Sequence, residues 1–219
     1  MTLLIFDCDG VLVDSEVIAH DTLRELMAVL GHPMAIDETI REFAGRSLTD
    51  TIATAERLLG RPIPTDVGHE FGQRLLDRFR RHLKPIPGVR DAILALPYRR
   101  CVASSSSPER LHLSLAVTGL APLFGESVFS AVQVTNDKPA PDLYLLAART
   151  LGEAPESCIV IEDTMRGVMS ARAAGMRVIG FSGAAHATLD LPEQLQHAGA
   201  ALVLRSMHEL PAVVHRLAA

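Results

Sequence analysis

Four bulky apolar residues, Leu3-Leu4-Ile5-Phe6, run straight into Asp7-Cys8-Asp9-Gly10. A run this short and apolar predicts a buried strand, and the strand must end where two carboxylates and a glycine follow. Side chains alternate along a strand, so Asp7 and Asp9 face one way and Cys8 the other. Two carboxylates crowded at a strand tip repel each other unless a positive group sits between them. Hard oxygen donors of this kind suit magnesium. The first residues therefore predict a buried strand whose far end holds a cation.

Further short apolar runs follow at 101–104, 127–130, 158–162, 177–181 and 201–204. Helical stretches with recognisable ends separate them. Ser107-Pro108 sets an N-cap before a proline at the first helical position. Pro141 opens a helix that Gly152 closes, and Thr164 opens one that Gly175 closes. Strands alternating with helices over the second part of the chain predict an α/β fold, a doubly wound parallel sheet with helices on both faces. Residues 16–84 break that alternation. Val67, Phe71, Leu75, Phe79 and Leu83 recur at every fourth position there, the apolar stripe of a packed helix. The predicted organisation is a core formed by 1–15 and 85–219, interrupted by an all-helical insertion over 16–84.

A chain of 219 residues, 48% of them hydrophobic, can bury a core of that size. Its formal net charge of −5 argues against a nucleic-acid partner, which calls for a basic surface. The apolar start is too short for a signal peptide or a membrane span, so a cytoplasmic protein with no membrane partner is expected. Cys8, Cys101 and Cys158 are far apart and odd in number, which fits reduced, buried thiols. The nine histidines show no metal-ligand spacing and are assigned to the surface or to packing in the insertion. Of the 21 basic residues only Lys84 and Lys138 are lysine. A lysine in such a background marks a place where arginine will not serve.

Four features occur in order. They are Asp7-Cys8-Asp9-Gly10, the strand end Val102-Ala103-Ser104-Ser105, Lys138-Pro139-Ala140-Pro141-Asp142 just before a helix, and Ile159-Val160-Ile161-Glu162-Asp163. Ligands of a doubly wound sheet bind at the carboxyl ends of its strands, so the tips at Asp9, Ser104 and Asp163 converge on one edge. The helix after Ser107 would aim its N-terminus at an anion bound there. These residue types suit phosphoryl transfer. Asp7, first at the tip, is the candidate nucleophile, able to carry a transient aspartyl phosphate. Asp9 can protonate the leaving alcohol and then deprotonate the attacking water. Magnesium held by Asp7, Asp163 and Glu162, the last directly or through a water, would screen the nucleophile from a dianionic phosphate. Lys138 offers a compact cation to the nucleophile and to a phosphoryl oxygen. Ser104, Ser105 and backbone N–H groups would bind the other oxygens. Ser107 and Asp142 are read as doing only local work.

This set resembles the haloacid dehalogenase superfamily, and within it the β-phosphoglucomutase-like phosphatases, over nearly the whole chain. Asp7-x-Asp9-Gly10-Val11 looks like the family's first motif, Ser104 its second, Lys138 its third and Glu162-Asp163 its fourth. Asp14-Ser15-Glu16 also resembles these phosphatases. The resemblance implies a Rossmann-like core with a helical cap over 16–84 and a magnesium site that includes the backbone carbonyl of Asp9. It also implies a small phosphomonoester, such as a sugar phosphate, as substrate. Asp9 argues against dehalogenation, in which no alcohol leaves, and against phosphonate cleavage, in which a small residue stands there. The mutases of this group carry Gly-x-Ser-Arg in a cap loop and a histidine twelve residues after the nucleophile. Here the loop reads Gly45-Arg46-Ser47-Leu48, and Ala19 holds the histidine's place with His20 one step late. The expectation is a phosphatase, with a sugar phosphate mutase as the alternative and Arg46 as a candidate for the substrate's polar end. A phospho-accepting signalling domain gathers similar groups but lacks both the helical cap and the acid/base aspartate. The sequence carries no signal for oligomerisation, and a monomer is expected.

Overall fold

The structure, a computed structural model, describes residues 2–44, 46 and 48–218. The chain forms β1 (Leu3–Phe6) and then four helices, α1 (Glu16–Val29), α2 (Ile36–Phe43), α3 (Leu48–Leu59) and α4 (Thr65–His82). Then α5 (Val89–Leu94), β2 (Arg99–Ser104), α6 (Pro108–Val117), β3 (Val128–Ser130), α7 (Asp142–Thr150) and β4 (Cys158–Glu162) follow. The chain ends with α8 (Met165–Ala173), β5 (Arg177–Phe181), α9 (Leu191–His197), β6 (Leu202–Leu204) and α10 (Leu210–Ala218).

The strands are all parallel, in the order β3-β2-β1-β4-β5-β6. The chain winds outward from β1 to β3, crosses back, and winds outward the other way from β4. Its direction reverses between β1 and β4, which pair Leu3 with Cys158 and Phe6 with Ile161. Crevices at such reversals, beyond the carboxyl ends of the strands, are where doubly wound sheets bind ligands.

Strand alternation sorts the apolar side chains into two layers. Leu4 and Phe6 pack with Val102, Ile159 and Ile161 against α5, α6 and α10. Leu3 and Ile5 pack with Cys101, Ala103, Cys158 and Val160 against α7, α8 and α9. The three cysteines are buried and unpaired. β2 begins two residues before the apolar run, at Arg99. Ladder hydrogen bonds use only backbone, so Arg99 and Arg100 pair with Leu3 and Leu4, and Arg100 turns its guanidinium onto the Ile93 carbonyl at 2.7 Å.

Helices α1 to α4 enclose a third cluster of Leu23, Met27, Met34, Phe43, Ala55 and Phe71. The α4 stripe divides between two cores. Phe71 belongs to this cluster, whereas Leu75, Phe79 and Leu83 join the layer on the sheet. One stripe thus seats the inserted helices on the core. The two connections between them run side by side: Asp14 N–H donates to the Lys84 carbonyl at 3.0 Å and Ile86 N–H to the Leu12 carbonyl at 2.9 Å. No described helix is long and apolar enough to cross a membrane.

Candidate active site

The ends of β1 and β4 bring the first and fourth sequence features together. Asp7 N–H donates to the Ile161 carbonyl at 3.0 Å, which sets Asp7 beside Glu162. The chain then turns sharply, with Gly10 at φ 77°. A Cβ on Gly10 would lie 1.8 Å from Asp163 Oδ2, so glycine is needed both for the turn and for the close approach of the two strand ends.

Lys138 reaches this point from the loop before α7. Its Nζ donates to Asp7 Oδ1 at 2.8 Å, to Glu162 Oε1 at 2.7 Å and to the Ala103 carbonyl at 3.3 Å. Glu162 is fully buried and engaged on both oxygens. Tyr144 Oη donates to Oε1 at 3.0 Å, and Thr164 N–H and Oγ1 donate to Oε2 at 2.8 and 2.9 Å. Glu162 therefore fixes Lys138 and ties the start of α8 to the strand tip. Asp163 is different. It is 2% exposed, and neither carboxylate oxygen has a hydrogen-bond partner, although His186 Nε2 lies 3.3 Å from Oδ2, within ion-pair distance.

One ammonium cannot neutralise three buried carboxylates. Burial pushes the Asp7 carboxyl well above the usual range; Lys138 opposes this, and Glu162 and Asp163 add to it. Burial likewise pushes Asp163 up to about 6, against the pull of His186. Asp7, Glu162 and Asp163 each offer an oxygen within 4.8 Å of the others. An all-carboxylate donor set with two orphaned oxygens fits a hard divalent cation.

Asp9 lies outside the reach of Lys138 and has its own partners. Its Oδ1 accepts from Ser15 Oγ at 2.5 Å and Arg110 Nη2 at 2.7 Å, and its Oδ2 accepts from Ser106 Oγ at 2.6 Å. Burial alone would raise its pKa, but Arg110 and the Ser106 and Ser15 hydroxyls hold Asp9 below the usual carboxylate range. Ser104 is 2% exposed and its Oγ accepts from Ser106 N–H at 3.2 Å, whereas Ser105 Oγ turns to Asp137 Oδ1 at 2.8 Å. The loop is pinned by Ser107, which caps α6 by accepting from Arg110 N–H at 3.3 Å.

Residues 1–175 match the haloacid dehalogenase-like hydrolases. The chain belongs to that family. It is 31% identical over 210 residues to the phosphorylated carbohydrates phosphatase of Thermotoga maritima, covering 93% of this chain and 94% of that one. It is 28% identical over 182 residues to the 6-phosphogluconate phosphatase of Escherichia coli, covering 83% and 82%. Among solved structures, a conserved haloacid dehalogenase-like protein of unknown function from Agrobacterium tumefaciens superposes with a TM-score of 0.87 at 38% identity, over 100% of both chains. The chain is thus an enzyme of the haloacid dehalogenase-like hydrolases.

In this family member a cavity of about 850 Å³ opens over the strand tips. Asp7, Asp9, Ser104, Ser105, Lys138, Glu162 and Asp163 all line it, so these sequence-predicted residues share one space. Arg46 lines the same cavity from the inserted helices, exposed and donating its Nε to the Glu42 carbonyl at 2.5 Å. Gly45 and Ser47, on which the loop comparison with the mutases also rests, lie outside the described residues. Arg110, Ser106 and Ser15 are site residues that sequence reasoning missed. The one available signal was for Ser15, which stands in the Asp14-Ser15-Glu16 run that the resemblance singles out. His186 corrects the assignment of the histidines to surface and packing: the chain after β5 folds back over the site and sets its ring against Asp163. His20 is buried at 3% exposure beside Glu16 and is absent from the cavity wall.

Proposed function

We propose that this enzyme is a magnesium-dependent phosphatase of a small phosphomonoester, a sugar phosphate or a close analogue, working through an aspartyl phosphate on Asp7. The observation that carries the reading is that Asp7, held by Lys138, and Asp9, clear of Lys138, line one cavity. A nucleophile with an acid/base group two residues away is what a leaving alcohol requires. An Asp7 oxygen attacks phosphorus, the ester P–O bond breaks, and the departing alkoxide takes a proton from Asp9, which has to enter this step protonated, away from the donors that keep it ionised at rest. Asp9 then takes a proton from water, whose oxygen attacks phosphorus. The bond to Asp7 breaks and inorganic phosphate leaves.

Lys138 keeps the Asp7 carboxylate aimed and shares its charge with a phosphoryl oxygen. Ser104 and the backbone N–H groups before α6 would receive the remaining oxygens, with the helix N-terminus behind them. Asp7, Asp163 and the Asp9 carbonyl would hold magnesium, which would supply charge screening between nucleophile and phosphate, while Glu162, with both oxygens taken by Lys138, Tyr144 and Thr164, would act on the ion only from behind them or through a water. The insertion over 16–84 would serve as a cap, because residues of α2 and α4 line the cavity together with the core. Arg46 and Arg41 on that side suit the polar or anionic far end of a phosphorylated carbohydrate, the class on which the two relatives act. The position of His20 away from the cavity gives the mutase alternative no support.

Phosphate release from a panel of sugar phosphates tests the reading. Turnover that requires Mg²⁺ and falls roughly a hundredfold or more in Asp9→Asn is expected. Interconversion of sugar 1- and 6-phosphates without net phosphate release would replace the phosphatase with a mutase.

A further inference from the structure

The surroundings of Asp9 contain more than acid/base chemistry needs. Three donors, from Ser15, Ser106 and Arg110, grip its two oxygens at 2.5 to 2.7 Å. A carboxylate held this way cannot turn toward a leaving oxygen without releasing at least one donor. The two hydroxyls can rotate and find other acceptors. The guanidinium is the strong tie, since a charge-assisted hydrogen bond is roughly twice as strong as a neutral one.

Arg110 has a second acceptor almost within reach. Glu16, the first residue of α1, places Oε1 3.8 Å from the same Nη2 that bonds Asp9. A shift of roughly 1 Å would bring that pair to the length of a charge-assisted hydrogen bond, about 2.8 Å. The guanidinium is confined while it turns. Its Cζ lies 5.0 Å from the centroid of the Phe79 ring, and its Nε is buried without a hydrogen-bond partner. The other Glu16 oxygen, Oε2, faces His20 Nε2 at 3.5 Å, so Oε1 is the oxygen turned to Arg110.

Resting on the phosphatase reading, we propose that Arg110 is a shared cation that holds Asp9 aside at rest and passes to Glu16 when Asp9 turns to the substrate. Arg110 and Glu16 are then positioning residues. Neither has to touch the reacting atoms. Without the Glu16 carboxylate, Asp9 stays bound to Arg110 and turnover slows. Removing Arg110 as well frees Asp9 again. A merely structural role for the pair predicts the opposite, with losses that add.

The test is steady-state kinetics with a hexose phosphate and Mg²⁺ on the wild type, Glu16→Gln, Arg110→Met and the double variant. Thermal melts check that each variant is folded, and Arg110→Gln replaces Arg110→Met if the latter is not. Glu16→Gln is expected to lower kcat roughly tenfold or more, because acid/base catalysis is withheld. Its KM should stay within about twofold, since ground-state binding is untouched. The double variant is expected to turn over faster than Glu16→Gln. The control is Asp9→Asn, which must be inactive where the wild type turns over. With that control in place, full kcat in Glu16→Gln overturns the exchange and leaves the phosphatase reading standing. A double variant no faster than Glu16→Gln does the same. A wild type without turnover overturns both.

Discussion

At the scale of single residues, His20 shows how burial becomes a pH dependence. It is 3% exposed, its Nδ1 has no hydrogen-bond partner, and burial, helped by His186 and Arg110, lowers its pKa to about 4. The unfolded chain should titrate this ring near the ordinary value of about 6.5. As pH falls through that window the unfolded state takes up a proton that the folded state refuses, so stability falls with pH, by up to roughly 3 kcal/mol. Urea denaturation at pH 7 and 4.5 should therefore show a larger loss in the wild type than in His20→Gln, which carries no titrating ring. Equal losses would refute this account of His20. Several residues that line the cavity were legible without any structure. Asp7, Asp9, Ser104 and Asp163 lie at or just beyond the ends of buried runs, where a parallel sheet must gather them, and Lys138 stood out against the arginines. Arg110 was not legible, because it meets Asp9 across 101 residues of chain, and a contact of that kind leaves no local pattern.

At the scale of elements, two helical glycines separate what propensity demands from what packing demands. Glycine inside a helix is worse than alanine by about 0.8–1 kcal/mol. On α4, a Cβ at Gly72 would meet nothing within 4 Å. Gly72→Ala should therefore stabilise the protein by up to about 1 kcal/mol. On α8, a Cβ at Gly167 would lie 1.7 Å from Glu162 Oε1, and that carboxylate holds Lys138, Tyr144 and Thr164. Gly167→Ala should lower both the melting temperature and kcat, since the buried Glu162 has nowhere to move without releasing Lys138. Opposite signs in paired thermal melts are the expected result, and a stabilised Gly167→Ala would refute the tight seat of Glu162. Element starts were well marked in sequence where a cap defines them, as at Ser107 and Thr164, which accept from Arg110 N–H and Gly167 N–H. They were poorly marked where pairing alone defines them. β2 starts at two arginines because the ladder reads backbone and not side chains. The α4 stripe predicted a packed helix, but period alone does not say that its two halves face different cores.

At the scale of the whole molecule, the fold follows from one topological fact, the reversal of winding between β1 and β4. It places Asp7 and Asp163 across a single crevice, and the inserted helices close the cavity above them. The alternation of strand and helix made the sheet legible. The depth at which the acids are held was not, because burial is a property of the assembled layers. That burial makes the site a stability term. Above about pH 6 Asp163 is ionised in a cluster with too little positive charge, so the stability that its raised pKa contributes at lower pH is lost as pH rises through that value. A bound divalent cation reverses the loss. At a hundredfold excess over its dissociation constant a ligand adds about 2.7 kcal/mol to the folded state. For a chain of this size each kcal/mol raises the melting temperature by roughly 2–4 °C. Mg²⁺ at pH 7.5 should thus raise the melting temperature by several degrees, and the rise should shrink as pH falls through about 6, where Asp163 takes up a proton. In Asp163→Asn the rise should largely vanish at every pH, because the variant's neutral amide cannot supply the carboxylate charge. An undiminished Mg²⁺ shift in that variant would place the cation elsewhere and remove Asp163 from the metal site.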